Sequence, residues 1–293
     1  MLLALLLILL AGSGPPPSAR IPTGEHPCGI ASGFGAVWVA NDGSGTLARV
    51  NPRTNRVTRR VSIGRGACSV AAGAGFVWVT NYRTRAVVRV DPARFGVRRV
   101  EVGGEPFDVV VAAGHVWATA WADGRLVEVE PGSLRVVRRL EVGPFPAGLG
   151  VRAGSLWVGF GRSATSIARV DPASGAVVRV PVGVETPAWF SAGTRDLWVT
   201  ADDNALVHID PRSGRVLGTA RFGRTLGHPA ADANGTIWVP DKEIDRVFLV
   251  DPKTGRQMRS FAGGDGAFEA LNAYGSIWIT SYAGADIRRY RSR

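Results

Sequence analysis

The chain is predicted to be an all-β, seven-bladed β-propeller with four-stranded blades, on three observations. Tryptophans at Trp38, Trp78, Trp117, Trp157, Trp198, Trp238 and Trp278 recur at intervals of 39 to 41 residues along a chain of 293. Each sits in the same frame, with Val, Leu or Ile before it, a Pro or small residue eleven earlier and, after all but the last, a turn built on Asp-Pro or a close variant about thirteen later. The composition agrees, because 38 Gly and 18 Pro among 45% apolar and 20% charged residues describe many short strands joined by tight turns. That balance excludes a disordered or collagen-like chain. Four short strands every ~40 residues are the mark of a propeller blade.

The elements follow in order. Residues 2–10 are an unbroken apolar run, followed by Ala11-Gly12-Ser13-Gly14 and Pro15-Pro16-Pro17. This reads as an export signal and linker over 1–17. The run is shorter than the ~20 residues a membrane span needs, and no other segment approaches that length. The rest, 18–293, is expected to be one soluble propeller, secreted or periplasmic and monomeric, with cleavage before about Ala19. Ser13 stands where lipid anchoring would need a cysteine, so release is expected.

In the first repeat, strands are predicted at 28–32, 36–41, 46–51 and 56–63, separated by turns containing Gly or Pro. The third-to-fourth turns are Asn51-Pro52, Asp91-Pro92, Glu130-Pro131, Asp171-Pro172, Asp210-Pro211 and Asp251-Pro252, where Pro fixes φ and a following Gly tolerates positive φ. The seventh repeat reaches a third strand at 286–290 but no fourth. Arg20-Ile21-Pro22-Thr23-Gly24 aligns with Arg60-Val61-Ser62-Ile63-Gly64, so the N-terminal strand is expected to complete the last blade and remove its open edge.

These residues resemble a known group. Val77-Trp78-Val79-Thr80-Asn81, the Asp251-Pro252-Lys253-Thr254-Gly255 turn and the Val102-Gly103 and Val142-Gly143 strand ends resemble the YVTN-repeat propellers, and Pro27-Cys28-Gly29-Ile30 resembles streptogramin B lyases. The resemblance spans roughly Arg20 to Tyr290 and implies the seven-bladed fold. In the lyases it implies a last-blade His after the Pro position and a Glu three residues after the Trp, both near magnesium. Here those places hold Phe268 and Ser281, while the sixth repeat carries His228 and, three after Trp238, Asp241. The lyase reaction is therefore not carried over.

Comparison of the seven repeats locates the candidate site. Loops between first and second strands and between third and fourth are monotonous and read as scaffold. The opposite face varies and carries Tyr82, Phe107, Trp121, Phe160, Trp189 and Tyr282 as candidate ligand contacts. Trp121 and Trp189 break the period, and either line a pocket or plug the channel mouth. His228 and Asp241 are expected side by side, as a general-base dyad or a structural pair. Asp108, Asp202 and Glu269, from three other blades, are the candidates for a Mg²⁺ or Ca²⁺ site, since hard cations take dispersed oxygen ligands. No continuous metal motif is present and no other cofactor is expected. His26, His115 and His208 share no spacing and read as bystanders. The repeat tryptophans read as inter-blade packing.

Cys28 and Cys68, the chain's two cysteines, occupy equivalent places in adjacent repeats, so a disulfide between blades one and two is expected in an oxidising compartment, with two buried thiols as the alternative. The net charge of +11 comes from arginine, for only Lys242 and Lys253 of 35 basic residues are lysine. Arg59, Arg60, Arg98, Arg99, Arg138, Arg139, Arg179 and Arg259 fall in successive fourth strands. They either guard exposed edges or hold an anionic polymer or single-stranded nucleic acid. The functional expectation is an exported binding module for a small molecule, peptide or envelope polymer. The alternatives are a metal-dependent lyase or hydrolase, and a nucleic-acid binder.

Overall fold

A strand covered on both faces must be apolar throughout, whereas one at the rim can alternate. Both patterns are present. Second strands such as Ala36–Asn41 and Ser276–Ser281 are buried at every position, while fourth strands such as Arg56–Ser62 and Val97–Glu101 are largely exposed. The computed structural model describes residues 14–191 and 195–291; the apolar run at 2–10 lies outside them. Among the described residues, the strands pair into seven four-stranded antiparallel sheets. Blades 1 to 6 occupy 27–62, 67–101, 106–141, 146–181, 187–221 and 230–262. Blade 7 is 267–291 joined by 19–22.

The ring closes as the chain's two ends predict. Ala19–Pro22 pairs with Asp286–Arg291 in the register Ile21 to Ile287. Ile21 is buried in the cluster between blades 7 and 1, and Arg20 reaches Asp286 at 2.9 Å.

Each repeat tryptophan leaves its own sheet and packs into the next. Trp38 joins Val70, Val77 and Val79 of blade 2; Trp117 joins Leu149 and Leu156 of blade 4; Trp278 joins Val37 and Val39 of blade 1. The indole N–H of Trp38, Trp78 and Trp278 donates to the carbonyl five residues earlier at 3.0 Å, which fixes the ring's tilt. An all-apolar seam carrying one such ring per interface is the main source of cohesion.

Arginine supplies a second inter-blade fastening. Arg89, Arg138, Arg169 and Arg289 donate to the backbone carbonyls of Pro131, Pro172, Arg212 and Pro52, each in the third-to-fourth turn of the following blade. Arg60, Arg99 and Arg179 reach back to Thr23, Ile63 and Val142, where the preceding blade's outer strand ends. A planar guanidinium can satisfy carbonyls while lying over a ring, as Arg289 does 4.7 Å from the Trp278 centroid. Much of the arginine read from sequence as an edge guard or anionic-polymer belt is thus structural mortar.

A third device lies nearer the axis. In blades 2, 3 and 5 a threonine two places after the repeat Trp donates to the next blade, and in blades 2 and 3 it also accepts from its own inner strand. Thr119 Oγ1 takes the Asp108 amide at 2.9 Å and donates to the Ala147 carbonyl at 3.0 Å; Thr80 and Thr200 make the same donation to Phe107 and Gly227.

Candidate functional site

Three columns of equivalent residues, one from each blade, build the axial funnel. The first residue of the inner strand, Pro27, Ala67, Pro106, Pro146, Pro187 or Ala267, and in blade 6 Leu226, which precedes a short inner strand at Ala230–Ala231, pairs with the residue three after the repeat Trp. The residue after it forms a wall column: Cys28, Cys68, Phe107, Ala147, Ala188, Gly227 and Phe268. The next forms the throat: Gly29, Ser69, Asp108, Gly148, Trp189, His228 and Glu269. Four residues after each Trp stands the rim: Asp42, Tyr82, Trp121, Gly161, Asp202, Lys242 and Tyr282.

These columns enclose a cavity of about 410 Å³ lined by Tyr82, Phe107, Trp189, Phe268 and Tyr282 together with His228, Glu269, Asp202, Asp42, Lys242 and the Cys28–Cys68 disulfide. The expected bridge is present, with Cα atoms 5.0 Å apart. It requires Gly29, because a Cβ there would meet the Cys68 carbonyl oxygen at 2.2 Å. Ser69, His228 and Glu269 also line a depression of about 340 Å³ on the other side, so the throat is the partition across the channel. A larger groove of about 550 Å³ near Pro15 and Met258 offers one carboxylate, Asp232, which already holds the Trp238 indole N–H and turn amides.

Aromatic rings surround the funnel. Trp189 stacks on His228 with centroids 4.3 Å apart and meets Phe268 edge-on at 6.1 Å. Opposite, Tyr82 lies 6.5 Å from Phe107. Trp121 does not line the cavity. It backs Phe107 at 4.8 Å and leans on Phe145 at 5.3 Å, occupying space left by Gly161, whose Cβ would meet it at 2.1 Å. Phe160 does not line the cavity either: it lies in the buried column three after the Trp, inside the cluster between blades 3 and 4, beneath Arg179.

The expected His228–Asp241 pairing is not what the fold produces. The first-to-second turn of blade 6, around residues 232–236, is one residue longer than its equivalents, and Leu226 pairs with Asp241. His228 therefore falls in the throat beside Glu269, bonding through its backbone to Phe268 and Ala270 of blade 7. Asp241 instead accepts the amides of Arg224, Glu243 and Ile244, as a turn-organising residue. The place that matches Phe268 is Gly227.

The throat carries buried titratable groups. Asp108 accepts from Ser69 Oγ, from Val109 N at 2.8 Å and from Leu149 N at 2.7 Å; burial nevertheless pushes its carboxyl up to about 6. Burial and then the Asp108 charge raise Glu269 well above the usual range, and burial lowers His228 to about 3, so its imidazole is neutral at pH 7. On the rim, Asp42 accepts the phenol hydroxyls of Tyr82 and Tyr282, each at 3.1 Å, and the Gly66 amide at 2.9 Å.

The magnesium site implied by the resemblance does not fit. Phe268 presents a ring, and Ser281 is buried, donating to the Asp265 carbonyl at 3.0 Å. Among the described residues no group of three or more His, Cys, Asp or Glu side chains could hold an ion. Asp202 lines only the upper cavity and Asp108 only the lower one, so these two and Glu269 stand at different depths.

Sequence reasoning missed Asp42, Ser69, Thr225, Leu226, Lys242 and Phe268 among the cavity-lining residues. A signal for two of them was present, since Asp42 and Lys242 share the repeat column of Tyr82 and Tyr282.

Neither a described protein family nor a curated protein matches this sequence. Solved structures do. Hydrazine synthase of Kuenenia stuttgartiensis superposes with a TM-score of 0.79 at 14% identity, covering 92% of this chain and 96% of that one. Catalytically inactive virginiamycin B lyase from Staphylococcus aureus with quinupristin gives 0.80 at 15% identity, over 93% and 96%. The β-propeller domain of Myceliophteria thermophila Cps50 (Swd1) gives 0.82 at 11%, over 96% and 100%. The shared property is the fold: a seven-bladed, four-stranded propeller, here closed by its N-terminal strand.

Proposed function

We propose that the protein is an exported binding module whose variable-face funnel takes up a small molecule or short peptide of mixed aromatic and polar character. The observation that carries the reading is the convergence of Tyr82, Phe107, Trp189, Phe268 and Tyr282, from four blades, around one cavity of about 410 Å³. That size suits a drug-sized ligand, and apolar walls with a few polar groups give such a site affinity and orientation. The apolar run at 2–10 and the disulfide support the exported setting.

A second reading, an acid–base lyase or hydrolase, is favoured by the throat. Glu269, Asp108 and His228 are buried groups with displaced proton affinities at the base of the cavity, a common property of reaction centres. In this reading Glu269 holds and releases the proton while Trp189 and Tyr82 bracket the substrate. The magnesium-dependent form lacks its donor set. The arginines engaged between blades give the nucleic-acid reading no observation of its own.

Quinupristin, present in one of the superposing structures, tests both readings. Binding is followed by quenching of tryptophan emission and turnover by chromatography. Binding lost in Trp189→Ala without turnover supports the module; turnover lost in Glu269→Gln supports the enzyme. An ANS titration that gives no signal sensitive to Trp189→Ala removes the funnel from both.

A further inference from the structure

The funnel's charges are unequally committed. Asp42 is held by two tyrosine hydroxyls and an amide, and Asp241 by three amides. Glu243, beside Lys242, accepts from Arg224 at 3.1 Å and Thr225 at 2.9 Å. Asp203, beside Asp202, is bridged to Arg221 at 2.9 Å. Lys242 is in a different situation. Its ammonium lies 4.8 Å from the Tyr282 ring centroid and 5.5 Å from that of Phe268, and no carboxylate among the described residues is within ion-pair distance. A chain with 35 basic residues, only two of them lysine, has placed one of the two on the lining of its aromatic cavity.

A lysine ammonium is a compact, strongly hydrated point charge with three donors, and ring faces replace only part of that hydration. An exposed ammonium held over two rings keeps its donors for an acceptor entering the cavity. The floor below is Trp189 on His228, a flat apolar surface suited to a planar ring. Asp202 is the remaining carboxylate on this rim, one blade away. It does not neutralise Lys242, and it disfavours a second anionic group on the ligand.

We infer that the funnel selects a planar aromatic ligand bearing a single acid group, with the rings on Trp189 and the anion at Lys242. The inference rests on the aromatic-funnel reading above and adds the sign and position of the ligand's charge. It covers carboxylates and sulfonates alike, since the ammonium recognises the charged oxygen acceptors they share.

The test uses the full chain and two dyes with one ring system: 8-anilinonaphthalene-1-sulfonate and its uncharged counterpart N-phenyl-1-naphthylamine. Fluorescence titration of the wild type is expected to show both binding, the sulfonate more tightly and with an affinity that falls as salt screens the exposed ammonium. Lys242→Met should weaken the sulfonate roughly tenfold, the order expected for a charge-assisted hydrogen bond, and leave the neutral dye unchanged. Lys253→Met, which removes the other lysine in a turn on the opposite face, should change neither. Trp189→Ala should weaken both. If Lys242→Met leaves sulfonate affinity intact while Trp189→Ala weakens both dyes, the charge assignment is overturned and the aromatic funnel stands. If Trp189→Ala affects neither dye, or neither binds, the funnel reading itself is overturned.

Discussion

Removing the Cys28–Cys68 bridge tests how the ring is held together. The bridge joins the wall column of blades 1 and 2 and spans 40 residues. A cross-link closing a loop of that size removes denatured-state entropy worth about 4 kcal/mol at 25 °C, before any native-state strain. Unfolding entropy scales at about 2.1 cal/mol/K per residue, so a propeller of roughly 270 residues should lose about 7 °C of Tm. The variant is Cys28→Ser/Cys68→Ser, changed together so that no lone thiol remains. The assay is thermal unfolding by circular dichroism with and without reductant. The wild type should melt higher than the variant, fall towards it in reductant, and titrate no free thiols when unreduced. The variant should ignore reductant. Coincident melting curves, or two titratable thiols in the native wild type, would refute the reasoning.

Three further outcomes follow from the throat and the closure. Asp108 has its folded proton affinity raised to about 6 from 3.8, so the stability its protonation contributes is fully present below about pH 4 and lost as pH rises through 6. In Asp108→Asn that slope should disappear, a difference of roughly 3 kcal/mol between pH 4 and 7 by denaturant unfolding; an unchanged slope would show that Asp108 does not titrate there. His228 acts in the opposite sense. With its value lowered from 6.5 to about 3, its contribution is present above pH 6.5 and lost as pH falls, so His228→Phe should flatten the acid limb, and an acid limb as steep as the wild type's would count against a buried neutral imidazole. Ile21→Ala, in the closing strand, should cost about 2–4 kcal/mol because a buried aliphatic side chain leaves a cavity between blades 7 and 1. Stability within error of the wild type would contradict the closure.

The architecture was legible because the seven interfaces demand the same ring at the same place, and that repetition survives in the sequence as the tryptophan period. The closing strand was legible for a related reason, since Ile21 occupies a fourth-strand place that blade 7 lacks. The disulfide followed from two cysteines in one column. What escaped depended on register and on contacts between repeats. One extra residue in the turn near Asn234 moves His228 from the wall to the throat, and counting back from Trp238 cannot reveal where a turn takes up its slack. Phe160 and Asp241 stand in the column that also holds Asn41, Asn81 and Ser281, all buried, so grouping by column would have removed both from the open face. Trp121 stands in the right column, but Gly161 of the next blade gives its ring somewhere else to go. The arginine fastenings join residues in different repeats, 34 to 43 positions apart or, where the ring closes, 237, and nothing local distinguishes such an arginine from a solvated one.

The central claim is that the funnel above Trp189 is the ligand site and that Lys242 sets the charge it accepts. A crystal structure of the protein with 8-anilinonaphthalene-1-sulfonate tests it most directly. The account predicts the naphthalene rings against Trp189, between Tyr82 and Phe268, with the sulfonate at Lys242. A dye seated on the outer strands or in the groove beside Met258, with the funnel holding only water, would contradict it.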